Sequence, residues 1–308
     1  MNKRLPLIFA IILVVAVGAA PIAARSADPC DLKVSFAQPD EQGKQKVNVY
    51  EGNADPSLEG AKPLAFISDL KVNTDGTRIS YKVDDPRAKN GAINNILNAM
   101  HKGHTIAEFE DVARNDWQPP ARTWQVLSKD VIEKDKKTGK PCVGANNFLV
   151  SMTADVAVAD GFTRVGDCDQ SKWLNALTIP TLVLPGDSEF QTKKALTRNF
   201  VVVMTLEQPE RFAYGIVGDT GPKDELGEAS VEMNRILNGL PAGENPKNYK
   251  DAVTRFQGPK SLILIFPGNS NRLDYPVTPE RVTAKVKARF EAWGGKARLD
   301  ACLENIPH

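Results

Sequence analysis

The sequence predicts a single domain, mainly β, with a few helices on its flank (an α+β arrangement). Three observations predict it. Apolar and polar residues alternate in "DLKVSFA" and "KVNVYEG", as half-buried strands require. Apolar runs such as "ALTIPTLVLPG" and "SLILIFPGNS" are bounded by Gly and Pro. Clear helical periodicity is confined to two stretches in the C-terminal third. No internal repeat or long linker divides the 308 residues.

The elements follow in order. "LAFISDLKVN" and "TRISYKVDD" flank Thr74-Asp75-Gly76, and Asp-Gly tolerates positive φ, so a hairpin is expected there. "AINNILNAM" is a short helix candidate weakened by its asparagines. The middle of the chain mixes loop signals with charge, and "NNFLVSMTADVAVAD" reads as a buried strand. "RNFVVVMTLEQPERFAYGIVGD" holds two strands with a turn at Gln208-Pro209-Glu210. A helix is expected to start at Glu228, with Ala229, Met233, Ile236, Leu237 and Leu240 on its apolar face. A second begins with Thr278 as N-cap and Pro279 behind it, and Gly294 stops it.

The first 26 residues read as a secretory signal: a basic start at Lys3 and Arg4, an uncharged apolar run, then Ala24-Arg25-Ser26. The alternative is a retained anchor, since the run approaches spanning length. Residues 27–308 form the expected folded domain, secreted or periplasmic. Without Lys3, Arg4 and Arg25 it carries 36 basic against 38 acidic residues, net −2. That balance speaks against nucleic acid as a partner. Cys30, Cys142, Cys168 and Cys302 all lie in the exported part, which suggests two disulfides. Of three possible pairings, Cys142–Cys168 and Cys30–Cys302 are preferred. The first closes a modest loop and the second ties the chain ends together.

The segment "YGIVGDTGPKDELGEAS" carries the chemistry. Asp219 ends an apolar strand and Glu228 stands at the expected helix start. Two carboxylates in unlike environments can serve as acid and base on a glycosidic bond. Helix N–H groups would favour ionised Glu228 as base, and burial would favour protonated Asp219 as acid. The structural alternative is a turn Asp and a first-turn Glu. Asp219-Thr220-Gly221 also has the form of an aspartic-protease loop. No second copy exists: Asp187 precedes Ser188-Glu189, and Asp75 precedes Gly76.

"AYGIVGDTGPKDELGEASVEMNRIL" resembles the fungal-type chitosanases of glycoside hydrolase family 75, which carry Asp-Thr-Gly-Pro followed by Gly-Glu-x-Ser. "KVNTDGTRISYKVDD", "LNALTIPTLVLPG" and "LILIFPGNS" are similar to further patches of that family, so the likeness runs from about Leu70 to the C-terminus. Tyr81-Lys82-Val83 stands where the family has an aromatic-His-Pro. The resemblance implies a compact six-stranded barrel, with the double-psi kind as its candidate form. It also implies inverting hydrolysis of β-1,4 bonds in chitosan by Asp219 and Glu228, without metal or organic cofactor. Peptidoglycan as substrate, and a non-catalytic glycan-binding protein on the same fold, are the alternatives. The implied partner is a polysaccharide, with no stable membrane insertion after signal removal, and the protein is read as a monomer.

Asp84 and Asp85 are candidates for binding glucosamine ammonium groups, with Asp85 equally suited to a turn before Pro86. Thr220 and Ser230 are candidate substrate contacts, and Ser230 alternatively serves the helix start. Asp224 and Glu225 read as a solvated turn. Trp117, Trp124 and Trp173 could stack on sugars but read as core, as does Trp293. His101 and His104 read as surface residues rather than metal ligands.

Overall fold

The computed structural model describes residues 32–304 and 306. The expected signal segment and Cys30 lie outside the described residues, and with Cys30 the expected Cys30–Cys302 pairing. The strands are β1 (Lys33–Asp40), β2 (Gln45–Glu51), β3 (Leu64–Asn73), β4 (Thr181–Pro185), β5 (Phe200–Thr205), β6 (Phe212–Gly221), β7 (Glu228–Ser230) and β8 (Gly258–Phe266). The helices are α1 (Ile106–Arg114), α2 (Pro120–Val126), α3 (Glu189–Thr192), α4 (Val231–Leu237), α5 (Tyr249–Arg255), α6 (Pro279–Trp293) and α7 (Gly295–Leu303).

Six strands close a mixed barrel in the order β3-β7-β4-β6-β5-β8, with β8 returning to β3. The β3–β7 and β4–β6 pairs are parallel and the other four antiparallel. Closure removes free sheet edges from these six strands. β3 is long enough to pair with the β1–β2 hairpin through Leu64 and Ala65 and with β7 through Lys71 to Asn73.

Alternation sorts the strand side chains between two cores. Leu64, Phe66, Leu182, Leu184, Val201, Val203, Val217 and Ile263 fill the barrel interior. Ala65, Val202, Ile216 and Leu264 point outward and meet Val282, Val286, Phe290 and Trp293 of α6. Thr278 caps α6 by accepting from the Arg281 amide, and Gly294 ends it at φ 125°. The Trp293 ring lies 5.8 Å from Phe266 and 6.2 Å from Phe290.

Residues 74–180, between β3 and β4, form a large insertion with its own core. Tyr81, Phe109, Trp117, Trp124 and Leu149 pack within it. The Cys142–Cys168 disulfide ties it, as expected. Behind the disulfide, Lys172 Nζ is buried 2.6 Å from Glu133 Oε1 and also meets Asp167, so the buried ammonium and both carboxylates have opposite charges beside them.

Several sequence expectations change. The hairpin at Thr74-Asp75-Gly76 does not form. The chain turns there under the insertion, and Gly76 passes so close to Leu174 that a Cβ would lie 1.9 Å from its carbonyl oxygen. "TRISYKVDD" is therefore no strand, and Lys82 makes only an isolated bridge to Phe148. "NNFLVSMTADVAVAD" likewise forms no strand: it opens in a 3₁₀ turn at Ala145–Asn147 and then makes isolated bridges, with Leu149, Val150 and Val156 buried by loop packing. "AINNILNAM" contributes one 3₁₀ turn, Ile96–Ala99, capped by Asn95. Glu228 does not start a helix. It opens β7, and α4 begins three residues later with Ser230 as N-cap.

Trp293→Ala should cost about 3–5 kcal/mol, the usual loss for a large buried aromatic, measurable as a lower urea midpoint. An unchanged midpoint would show that α6 does not hold the outer core.

Candidate active site

Val183 of β4 lies opposite Asp219 on one neighbouring strand and Glu228 on the other. Directly paired residues point to the same face of a sheet, so the two carboxylates share a face. A bulge decides which face. Leu182 pairs with Val217 and both enter the interior, but Val183 then pairs with Asp219, leaving Gly218 extra. The extra residue turns Asp219 to the outer face, a recurrent use of bulges at sites. Only glycine fits at the bulge, because a Cβ on Gly218 would lie 2.4 Å from Thr181 Cγ2. Gly221, two residues beyond Asp219, lies beside Val183, where a Cβ would stand 3.2 Å from Val183 Cγ1. A Cβ there would stand 3.8 Å from Glu228 Oε2.

The insertion supplies the facing wall and a third carboxylate, Asp75. Asp75 Oδ1 accepts from the Tyr81 hydroxyl at 2.8 Å and from Ser151 Oγ at 3.1 Å. Three residues after Ser151, the Ala154 amide donates to Asp219 Oδ1 at 2.7 Å, and the Thr220 amide donates to the same oxygen at 2.8 Å. The Ser151–Ala154 segment thus holds two carboxylates at once. Asn94 donates to the Tyr81 hydroxyl at 2.9 Å and fixes it from behind.

Burial raises the pKa of all three acids, though each keeps part of its surface accessible. Asp75 is pushed up to about 7 by burial, against the hydrogen bonds from Tyr81 and Ser151, with the Glu228 charge adding to the rise. Burial first, and then the Asp75 charge, holds Asp219 well above the usual carboxylate range. Glu228 is also raised by burial; the Asn73 hydrogen bond and the Lys71 charge oppose this, and the Glu225 and Asp40 charges add to it. Lys71 lies opposite Glu228 on β3 and is itself paired with Glu225 Oε2 at 2.8 Å. The arrangement can hold a proton on one carboxyl and present a carboxylate two strands away.

The other expected site residues fall in different places. Thr220 is exposed beside Asp219. Ser230 is buried and its hydroxyl is committed. It donates to the Ile179 carbonyl and accepts from the amides of Thr181 and Met233, which leaves it to cap α4 rather than contact substrate. Asp85 is buried in a turn and accepts from the amides of Lys89 and Asn90 at 2.9 and 2.7 Å, so it is a turn residue, not an ammonium ligand. Asp84 is exposed, 3.2 Å from Lys82 Nζ. Trp117, Trp124 and Trp173 are buried. His104 pairs with Glu108 at 3.2 Å and His101 is exposed. Among the described residues no group of three or more His, Cys, Asp or Glu is placed to hold a metal ion.

Asp75 is the site residue whose sequence context points elsewhere. Its Asp-Gly pair has the form of a hairpin turn. No local signal flags it: an Asp-Gly pair after an apolar strand reads as an ordinary turn. Neither a protein-family model nor a curated protein matches the chain significantly.

The raised Asp75 value makes a pH prediction. Between 3.8 and about 7 the folded protein holds a proton on Asp75 that the unfolded chain has released. Stability contributed by that proton is therefore present at low pH and lost as pH rises through this window. Urea midpoints measured from pH 4 to pH 8 should fall, and fall less in Asp75→Asn. Parallel curves for the two proteins would contradict the assignment.

Proposed function

We propose that the protein is a glycoside hydrolase that cuts β-1,4 bonds of chitosan, or of a related amino-sugar polymer, with inversion. One observation carries this reading: Asp219 and Glu228 flank Val183 on the same outer face, both raised by burial, with the Lys71 cation beside Glu228 alone. Protonated Asp219 donates to the leaving glycosidic oxygen. Ionised Glu228 takes a proton from a water that attacks the anomeric carbon on the opposite face of the ring. The electrons of the breaking C–O bond stay with the leaving oxygen, and the water oxygen becomes the new anomeric hydroxyl. Two strand spacings put the backbones of the pair about 10 Å apart. That leaves room for the water an inverting enzyme needs, with carboxyls about 6.5–9.5 Å apart.

The roles match those expected from the sequence, but the cause differs for Glu228. It is not held ionised by a helix terminus, since it sits on β7. Burial raises it, and the Asn73 hydrogen bond and the Lys71 charge oppose that rise. Glu225, on the loop that leads to Glu228, pairs with Lys71 at 2.8 Å beside it. Export by the N-terminal segment and a double-psi connectivity of the barrel belong to the same reading. The disulfide within the insertion agrees with an oxidising compartment. No described helix is long and apolar enough to cross a membrane.

The test is reducing-end release from soluble chitosan by the purified protein beside Asp219→Asn and Glu228→Gln. Each substitution should lower kcat by about 10²–10⁴-fold, the usual share of an acid or base, with the fold retained. A folded parent that releases nothing from chitosan or peptidoglycan would remove the hydrolase reading.

A further inference from the structure

A cavity of about 330 Å³ opens between α6 and the segment 270–274 that follows β8. Arg281, Lys285 and Arg289 line it from α6 at every fourth position, which sets them on one face of the helix. Arg272 lines it from the facing segment. Ala288, between the long cations, adds only a methyl group. The lining thus carries four cations and a single carboxylate, Asp274. The whole chain, by contrast, is nearly balanced, with 39 basic and 38 acidic residues.

These cations are held by groups that do not cancel their charge. Arg281 Nη1 donates to the Asp274 carbonyl at 2.9 Å and to the Pro276 carbonyl. Arg289 donates to the carbonyls of Ser57 at 2.7 Å and Ser270 at 3.2 Å. Arg272 donates to the Thr197 carbonyl at 2.7 Å and to the Thr197 hydroxyl at 3.2 Å. Asp155 stands 3.6 Å from Arg272 and Glu59 3.8 Å from Arg289, too far to accept a hydrogen bond. Lys285 is exposed and has no partner among the described residues. A neutral oxygen orients a guanidinium without neutralising it. Each arginine makes two such bonds and keeps further N–H donors for a ligand.

We propose that this cavity binds a phosphate group, free or carried on a polymer, between Arg272, Arg281, Lys285 and Arg289. Guanidinium N–H groups pair with phosphate oxygens in two parallel hydrogen bonds, and an ammonium adds a point charge. A phosphate brings more negative charge than a carboxylate to a lining with an excess of cations. Arginines already fixed by carbonyls lose little freedom on binding it. A volume of about 330 Å³ also suits a small ligand or one unit of a chain. The proposal goes beyond the glycosidase reading and does not rest on it, since none of these residues belongs to the carboxylate site.

The test is an amide-NMR titration of the purified protein with inorganic phosphate and, separately, with linear tripolyphosphate. Ionic strength is held constant, and sodium chloride is the control. Phosphate should shift the amides of Leu273, Lys285, Ala288 and Arg289, and chloride should not. The two ligands identify the source. Equal Kd values assign the cavity to a free phosphate, and tighter binding of tripolyphosphate assigns it to phosphate within a polymer. Lys285→Glu removes no protein contact, so the fold should persist while phosphate binding weakens about tenfold, as for one lost charged partner. Arg281→Gln should weaken it by a similar factor. The readout needs no catalysis, so it stands whether or not the protein cuts chitosan. No shifts at these residues, shifts that chloride reproduces, or a Kd in Lys285→Glu equal to the parent's would each overturn the proposal.

Discussion

The shared pairing of Val183 with Asp219 and Glu228 is the constraint on which the site depends. β7 is three residues long and would not persist alone. It exists because β3 and β4 each offer it a backbone partner, and by filling that gap it closes the barrel. Its ends are pinned. Gly227 has φ +75°, and a Cβ there would lie 2.2 Å from the Asp69 carbonyl oxygen, so the approach to β3 requires glycine. At the other end the Ser230 hydroxyl joins the Thr181 amide of β4 to the first turn of α4. Glu228 is thus fixed by backbone on both sides, and the bulge at Gly218 brings Asp219 to the face it occupies.

The insertion converts that open face into a site. It carries a separate core, a disulfide and the buried Lys172–Glu133 pair, which make it a firm wall rather than a loose loop. From this wall come Asp75 and the amide of Ala154. Covering the carboxyls removes water from them, and a charged neighbour then matters more than it would in bulk solvent. The Asp75 charge raises Asp219, whereas Lys71 and Asn73 favour ionised Glu228.

Much of the barrel is legible in the sequence. "LAFISDLKVN" is β3 from end to end, and α6 has the cap, stripe and stop that its sequence announces. The illegible parts are those made by distant partners. "EAS" has no strand pattern of its own, and the helical spacing that follows it runs back over Ala229, so the sequence pattern merges β7 with the helix. "TRISYKVDD" alternates like a strand but finds no sheet edge, because β3 is already paired on both sides. α1 does carry a readable signal: Thr105 and Glu108 form a capping box. Of the site, Asp219 and Glu228 are legible from the loop that holds them. Asp75 is not, since only the folded insertion brings it to face Asp219.

The most direct test of the pair is the anomeric form of the first product. Proton NMR of a chitosan oligomer during the early minutes of hydrolysis reports it before mutarotation mixes the signals. Two carboxylates two strands apart, with water between them, predict the α anomer first. The β anomer appearing first would mean a covalent intermediate on one carboxylate, and would contradict Asp219 as acid and Glu228 as base.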